Sequence, residues 1–204
     1  MSEYSALIDL LNKKGYHAAF FEDVDTAKAH VMGLLSDAKS VGMGGSATIK
    51  STGLFEDIVA SGKTVFSQTL EREKENPDIM GVWKSAMNAD AFLTSTNALT
   101  LQGDLINIDG NGNRVAAMFF GPQKVVVVCG INKLADGPHK AIARIKKFAC
   151  PANAQRLGLQ TPCATGICTE CDSPQRMCNV TVRMQYPPRT KEIHIVLINK
   201  ELGF

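Results

Sequence analysis

The sequence predicts an α/β fold, a Rossmann-like and mostly parallel sheet with helices on both faces, into which a cysteine-rich loop is inserted. Three observations predict it. Short apolar runs alternate with segments of helical period along most of the chain. Val125 to Cys129 is a continuous apolar, β-branched run, which suits a strand buried on both faces. Gly42-Met43-Gly44-Gly45-Ser46 falls between a strand and a helix, where glycines let the backbone approach a ligand. The 204 residues fit one domain, 1–204, with no repeat or low-complexity linker dividing them.

Taken in order, Tyr4, Leu7, Ile8 and Leu11 recur at helical spacing, and Gly15 stands where a C-terminal cap is expected. His17 to Phe21 reads as a strand. Asp23 or Asp25 then caps a helix carrying Val24, Ala27, Val31, Leu34 and Leu35. Ser40 to Met43 is the next strand, followed by the glycine turn and a helix with Ile49, Leu54 and Ile58 on its inner face. A strand at Thr64 to Ser67, a helix within Glu71 to Asn88 and a strand at Ala91 to Thr94 continue the alternation. A hairpin follows around Leu101 to Ile108, with turn signals at Gly103-Asp104 and Asp109-Gly110. After the Val125 strand, Gly137 to Phe148 returns to helical spacing through Ala141, Ile142 and Ile145. The cysteine loop, 161–179, precedes two last strands near Val180 to Met184 and Ile193 to Ile198.

Lys and Arg number 22 against 20 Asp and Glu, spread evenly to a net charge of +2, so neither nucleic acid nor an anionic membrane surface is an expected partner. The segment Met1 to Leu11 carries Glu3 and Asp9 and lacks the basic and apolar regions of a signal peptide. Apolar stretches such as Val125 to Cys129 fall far short of the roughly 20 residues a spanning helix needs. A cytoplasmic protein is therefore expected. In a reducing compartment clustered cysteines point to metal binding or redox chemistry before disulfides.

The spacing Cys163-x4-Cys168-x2-Cys171-x6-Cys178, with Pro162, Gly166 and Pro174 between or beside the thiols, describes a loop able to fold around a metal centre. Four thiolates satisfy tetrahedral zinc or a [4Fe–4S] cubane. Zinc sites more often pair two short knuckles, and only one C-x2-C step exists, which favours [4Fe–4S] over zinc. The plant-type [2Fe–2S] order matches only the first three cysteines. Four-cysteine ligation implies electron transfer or structure. Loss of Cys163, set apart by Ala164-Thr165-Gly166-Ile167, would leave one iron open as a Lewis acid. Cys129 and Cys150 read as small buried hydrophobes.

Candidate ligand-binding residues are Gly44, Gly45, Ser46 and Thr48 of the glycine turn, together with a polar cluster after the strand ending at Thr94. That cluster comprises Thr94, Ser95, Asn97, Asp104, Asn107, Asp109, Asn113 and Arg114. Turn chemistry alone also explains many of its Asp, Asn and Gly residues. Arg114 precedes the apolar Val115 to Phe120 and is suited to pair with a carboxylate or phosphate at the edge of a buried element. His17, His30, His139 and His194 share no metal-ligand spacing, and Lys50 and Lys133 read as surface lysines.

Three stretches resemble the lactate-utilization family, the LUD-domain or LutC/YkgG-like proteins. They are Gly42 to Thr48, Asp104 through Asn107-Ile108-Asp109-Gly110 to Gly112-Asn113-Arg114-Val115-Ala116-Ala117, and the strand leading to Asn132-Lys133. The cysteine-rich end, from Thr161-Pro162-Cys163 to Cys178-Asn179, resembles a subgroup with a four-cysteine insertion. The resemblance implies a fold similar to the NagB/RpiA/CoA-transferase group and a part in a multi-subunit iron–sulfur system converting lactate to pyruvate. CoA-transferase-like relatives carry a nucleophilic glutamate near the central hairpin. Here Ala98-Leu99-Thr100-Leu101-Gln102-Gly103 has no carboxylate, which argues against CoA transfer. The tandem ferredoxin-like cysteine sets of the larger subunit are also missing, so the chain resembles the smaller partner with an added cluster.

These readings lead to an iron–sulfur protein that binds a small anionic ligand and passes electrons, with other lactate-utilization subunits or a redox partner as its associates. The alternatives are a non-redox enzyme using an open iron of a [4Fe–4S] cluster as Lewis acid, and a ligand-binding or assembly subunit with structural zinc. Substrate, catalytic residues and oligomeric state stay open.

Overall fold

The computed structural model describes residues 4–204. Residues 1–3, which include Glu3 of the N-terminal segment read above, lie outside the described residues. Helix α1 (Ser5–Lys13) buries Leu7 and Leu11 and leads into strand β1 (His17–Phe21). Asp23 then caps α2 (Val24–Leu34), accepting from the Thr26 N–H at 2.8 Å. Strand β2 (Ser40–Met43) runs into the glycine turn.

The helix expected after that turn is two helices, α3 (Ala47–Ser51) and α4 (Leu54–Ala60). Gly53, at φ +74°, breaks them apart in a backbone conformation that glycine reaches without strain. After β3 (Thr64–Ser67), a short extra helix α5 (Gln68–Glu71) precedes the helix expected within 71–88, which forms as α6 (Ile79–Met87). Pro77 disfavours helical backbone at Asn76, and Asp78 restarts the helix by accepting from the Gly81 N–H at 2.8 Å. Strands β4 (Ala91–Thr94), β5 (Ala98–Thr100) and β6 (Leu105–Asp109) follow, then α7 (Asn113–Phe119) and β7 (Lys124–Gly130).

A 3-10 turn, Ile131–Lys133, ends β7 and leads to the short β8 (Leu134–Ala135). Helix α8 (Gly137–Arg144) then continues well past the expected end, through a π turn at Ile145–Ala149 into α9 (Cys150–Arg156). The wide turn accommodates Pro151, which has no N–H to give and would otherwise crowd the carbonyl four residues back. A 3-10 turn at Pro162–Thr165 opens the cysteine loop, and β9 (Val180–Met184) and β10 (Glu192–Ile198) close the fold.

Six strands form a wholly parallel sheet in the order β1-β10-β7-β4-β2-β3. Along β7, Val125, Val127 and Cys129 face α1, α6 and α7, while Val126 and Val128 face α2, α3 and α4. Period-2 alternation thus places every residue of the continuous apolar run in one core or the other. Each such fully buried aliphatic contributes about 1.5–3 kcal/mol, which makes β7 and β10 the anchor of the sheet. The expected hairpin forms as β5–β6, but in a second sheet of order β8-β5-β6-β9. Its Leu99 and Leu105 join the first core, and its Ala98, Ile106 and Ile108 pack on Ala141, Ile145 and Ala149. Among the described residues no helix is long and apolar enough to cross a membrane.

The strand order locates a crevice. From β2 the chain passes through α3 and α4 to the outer β3, then returns through α6 on the opposite face to β4 on the other side of β2. The direction of winding reverses between β2 and β4, and such a reversal opens a crevice at the carboxyl ends of the strands. Those ends are Met43-Gly44-Gly45 and Thr94-Ser95. Gly42 allows the helix behind them to sit close, since a Cβ there would lie 2.5 Å from the Ala86 carbonyl oxygen.

Candidate functional site

The crevice is a cleft of about 530 Å³. Gly44, Gly45, Ser46 and Thr48 form its floor beside Thr94, Ser95 and Asn97, and Asp109, Asn113 and Arg114 stand along one side. Ile145, Ala149, Cys150, Asn153 and Arg156, carried by the π turn and α9, also line it. Residues 174–177 and Asn179 of the cysteine loop complete the wall. The glycine turn and the cysteine loop therefore face one cavity, a juxtaposition that spans more than 120 positions of sequence.

The glycine turn is packed tightly from above. A Cβ on Gly45 would come within 2.7 Å of Gln68 Nε2 and 4.0 Å of an Arg156 guanidinium nitrogen, and one on Gly44 would touch the Arg114 stem at 3.9 Å. Ser46 caps α3, its Oγ accepting from the Ile49 N–H at 3.2 Å. Thr48 is buried and donates to the Leu202 carbonyl at 3.1 Å.

Lys133 is not the surface lysine that composition suggests. The 3-10 turn after β7 directs its side chain inward, leaving it 3% exposed. Its Nζ bonds Thr48 Oγ1 at 2.7 Å, Ser95 Oγ at 2.9 Å and the Thr96 carbonyl at 3.1 Å, with no carboxylate among its partners. Burial lowers its pKa to about 7; the neighbouring Cys129 works against that shift, and Arg144 and Arg114 add to it.

Arg114 organises a second network, which meets that of Lys133 at Ser95. Its guanidinium pairs with Asp109 and donates to Asn107 Oδ1 at 2.9 Å, Asn97 Oδ1 at 2.8 Å and the Ile108 and Ser95 carbonyls. Asp109 also accepts from the Val115 N–H at 3.1 Å, at the start of α7. Asn97 Oδ1 further accepts from the Ile108 N–H at 2.9 Å. Asn107 supports this network from behind, holding the Asn97 N–H at 3.0 Å, and does not line the cleft. Asp104 lies elsewhere: it is buried between Lys14 at 3.1 Å and Arg183 at 2.7 Å, joining α1 to β9.

All six cysteines are free thiols. Cys129 is enclosed in the sheet, where burial pushes its thiol up to about 12. Cys150 is buried against Ile106, Ile145 and the partly buried Cys178, and burial together with Cys178, Cys163 and Cys168 pushes its thiol up to about 12 as well. Cys163 is buried beside Thr161 Oγ1 at 3.3 Å, whereas Cys168, Cys171 and Cys178 are half-buried. Between Cys168 and Cys171 the backbone turns through Glu170 at φ +54°, the one non-glycine residue with positive φ among those described, and Lys146 pairs with its carboxylate. Arg176 donates to the Cys171 carbonyl at 2.6 Å and the Cys178 carbonyl at 3.3 Å, tying the middle of the loop to its end. Among the described residues no three His, Cys, Asp or Glu side chains are placed to hold a metal ion.

Sequence reasoning missed Lys133, Arg72, Trp83, Arg156 and Arg176 as cleft residues. Asn132-Lys133, directly after the most apolar strand, was the available signal for the first. The others come from separate elements and carry no local pattern.

The model of the LUD domain matches residues 4–198. A solved structure, that of a DUF162 family protein from Deinococcus radiodurans, superposes with a TM-score of 0.55 at 14% identity, covering 95% of this chain and 94% of that one, a likeness of fold alone. No curated protein matches. With the α/β architecture, the crevice between β2 and β4 and a match that spans nearly the whole described chain, this protein belongs to the LUD-domain family.

Proposed function

We propose that this protein is an iron–sulfur protein of lactate or related organic-acid utilization, from a subgroup of the family distinguished by the cysteine insertion. It binds a small carboxylate- or phosphate-bearing ligand in the cleft and serves electron transfer through a [4Fe–4S] centre held by Cys163, Cys168, Cys171 and Cys178. The observation that carries the reading is that the cysteine loop and the glycine turn wall one cleft. Five basic side chains line that cleft, Arg72, Arg114, Lys133, Arg156 and Arg176, against one carboxylate, Asp109, so an anion is the ligand its field favours.

The donor set fits a cluster by its chemistry. Four thiols free of disulfides stand within one loop, with Glu170 between Cys168 and Cys171 in the left-handed region. Zinc would require all four sulfurs on one point at about 2.3 Å, whereas a cubane takes one thiolate at each iron, a looser demand on their spacing. When bound, such a cluster supplies one-electron chemistry. The chain's own residues supply the rest: Lys133 places an amine poised near neutrality between its charged and neutral forms at the floor of the cleft, Arg114 fixes the Asn97 and Asp109 side chains, and Ile145, Ala149 and Leu157 exclude water from one wall.

Anaerobic purification of the full chain followed by iron, sulfide and zinc analysis tests this. Four irons and four sulfides per chain with broad visible absorbance are expected. Colourless protein carrying one zinc would remove the electron-transfer role and leave a ligand-binding or assembly subunit. A second reading rests on the separate setting of Cys163, buried against Thr161 while the other three thiols are half-buried. In that reading Cys163 is a spectator and the open iron acts as a Lewis acid. Cys163→Ser decides between them, since four-cysteine ligation predicts loss of iron and the open-iron reading predicts its retention.

A further inference from the structure

The positive charges of the cleft are not equivalent. Arg114 is neutralised by Asp109 and its N–H groups are occupied by the protein. Lys133 points its donors at Thr48, Ser95 and Thr96, and Arg176 is engaged with two carbonyls of the cysteine loop. Arg72 and Arg156 differ. Among the described residues Arg72 makes no side-chain hydrogen bond or ion pair, and Arg156 bonds only Asn153 Oδ1, at 3.0 Å from Nε. Both are exposed, both line the cleft, and Arg156 stands above Gly45. The two are near enough that Arg72, after desolvation, holds the Arg156 pKa below its ordinary value.

Two guanidiniums lining one cleft without a carboxylate partner repel each other until an anion neutralises them, and their planar donor forks match phosphate oxygens in a bidentate manner. The cavity volume also speaks to size. At about 530 Å³ it lies within the roughly 300–1,000 Å³ of sites for drug-sized ligands, well beyond what a three-carbon acid fills. Trp83 supplies an aromatic wall beside the arginines, its Nε1 donating to Gln68 Oε1 at 3.0 Å, and Ile79 and Leu157 add apolar surface.

We propose that the cleft takes a phosphorylated organic molecule, a phosphate monoester or diphosphate, with its oxyanion end bridging Arg72 and Arg156 over the glycine turn and its organic body against Trp83. This rests on the reading of the cleft as an anion site and names the class of anion. Isothermal titration of the full chain with inorganic pyrophosphate, inorganic phosphate and lactate, at matched ionic strength, tests it. Pyrophosphate is expected to bind more tightly than lactate. Arg72→Gln and Arg156→Gln each weaken it about tenfold, as loss of one charge-assisted contact does. Lys39→Gln, at the opposite end of β2, leaves it unchanged. Arg156→Lys, which keeps the charge without the fork, falls between wild type and Arg156→Gln. Pyrophosphate binding that survives both glutamine substitutions overturns the proposal. So does tighter binding of lactate, which leaves the organic-acid reading standing. Absence of any anion binding overturns both, independently of the iron and sulfide analysis.

Discussion

Lys133 Nζ donates to Thr48 Oγ1 across 2.7 Å and so ties the turn after β7 to the first turn of α3, bridging over the end of β4. The bond seals the floor of the cleft with a buried amine that has no carboxylate partner.

That arrangement has a pH signature. In the unfolded chain the Lys133 amine stays protonated up to its ordinary 10.5, and in the folded protein only up to about 7. Between those values the unfolded state holds more protons, so this residue's contribution to stability rises with pH; below about 7 both states are protonated and its cost is constant. In urea unfolding from pH 7 to 10, wild type is expected to gain stability relative to Lys133→Met. A wild type that loses stability relative to Lys133→Met over this range would contradict burial as the cause of the shift.

Breaking the Arg114–Asp109 pair should destabilise the fold strongly. Asp109→Asn and Arg114→Ala each leave buried partners unsatisfied around Asn97 and Asn107, at a cost of about 3–5 kcal/mol. Arg114→Lys should recover little of it, because an ammonium cannot replace a five-donor fork. The urea midpoint reads all three.

Asp104 provides the contrast. Held between Lys14 and Arg183 away from the cleft, it should cost stability when changed to Asn yet leave pyrophosphate titration as in wild type. A weakened titration in folded Asp104→Asn protein would connect it to the cleft.

Gly42→Ala should destabilise by about 1–3 kcal/mol, since the added methyl meets backbone atoms of Ala86 at 2.5 and 2.9 Å and α6 must move to admit it. Thermal unfolding measures the loss.

Cysteine roles separate by metal content. Cys129→Ala removes a thiol sealed in the sheet and should leave the iron of anaerobically purified protein unchanged, whereas Cys171→Ser should lose it. Equal loss in both variants would indicate general misfolding, which circular dichroism of the two proteins checks directly.

The alternation of strands and helices, the doubly buried run of β7 and the glycine turn at a strand's carboxyl end were determined by the sequence itself. These features arise from neighbours within a few residues, where side-chain period and glycine's backbone freedom act directly. Thr94 and Ser95 line the cleft because they close β4, a strand of the parallel sheet whose carboxyl edge gathers polar residues, whereas Asp109 and Arg114 reach it from the end of β6, in the second sheet, and the start of α7. Tertiary structure alone decided which of them share a cavity. Lys133 meets Thr48 across 85 positions and Asp104 meets Arg183 across 79, contacts fixed by strand order and by the placing of β5, β6, β8 and β9 in a second sheet. The same packing turned the cysteine loop toward the glycine turn and brought Arg156 and Arg72 to one cleft. Periodicity carries which face of an element is buried but not which element lies opposite, and the character of this cleft depends on the latter.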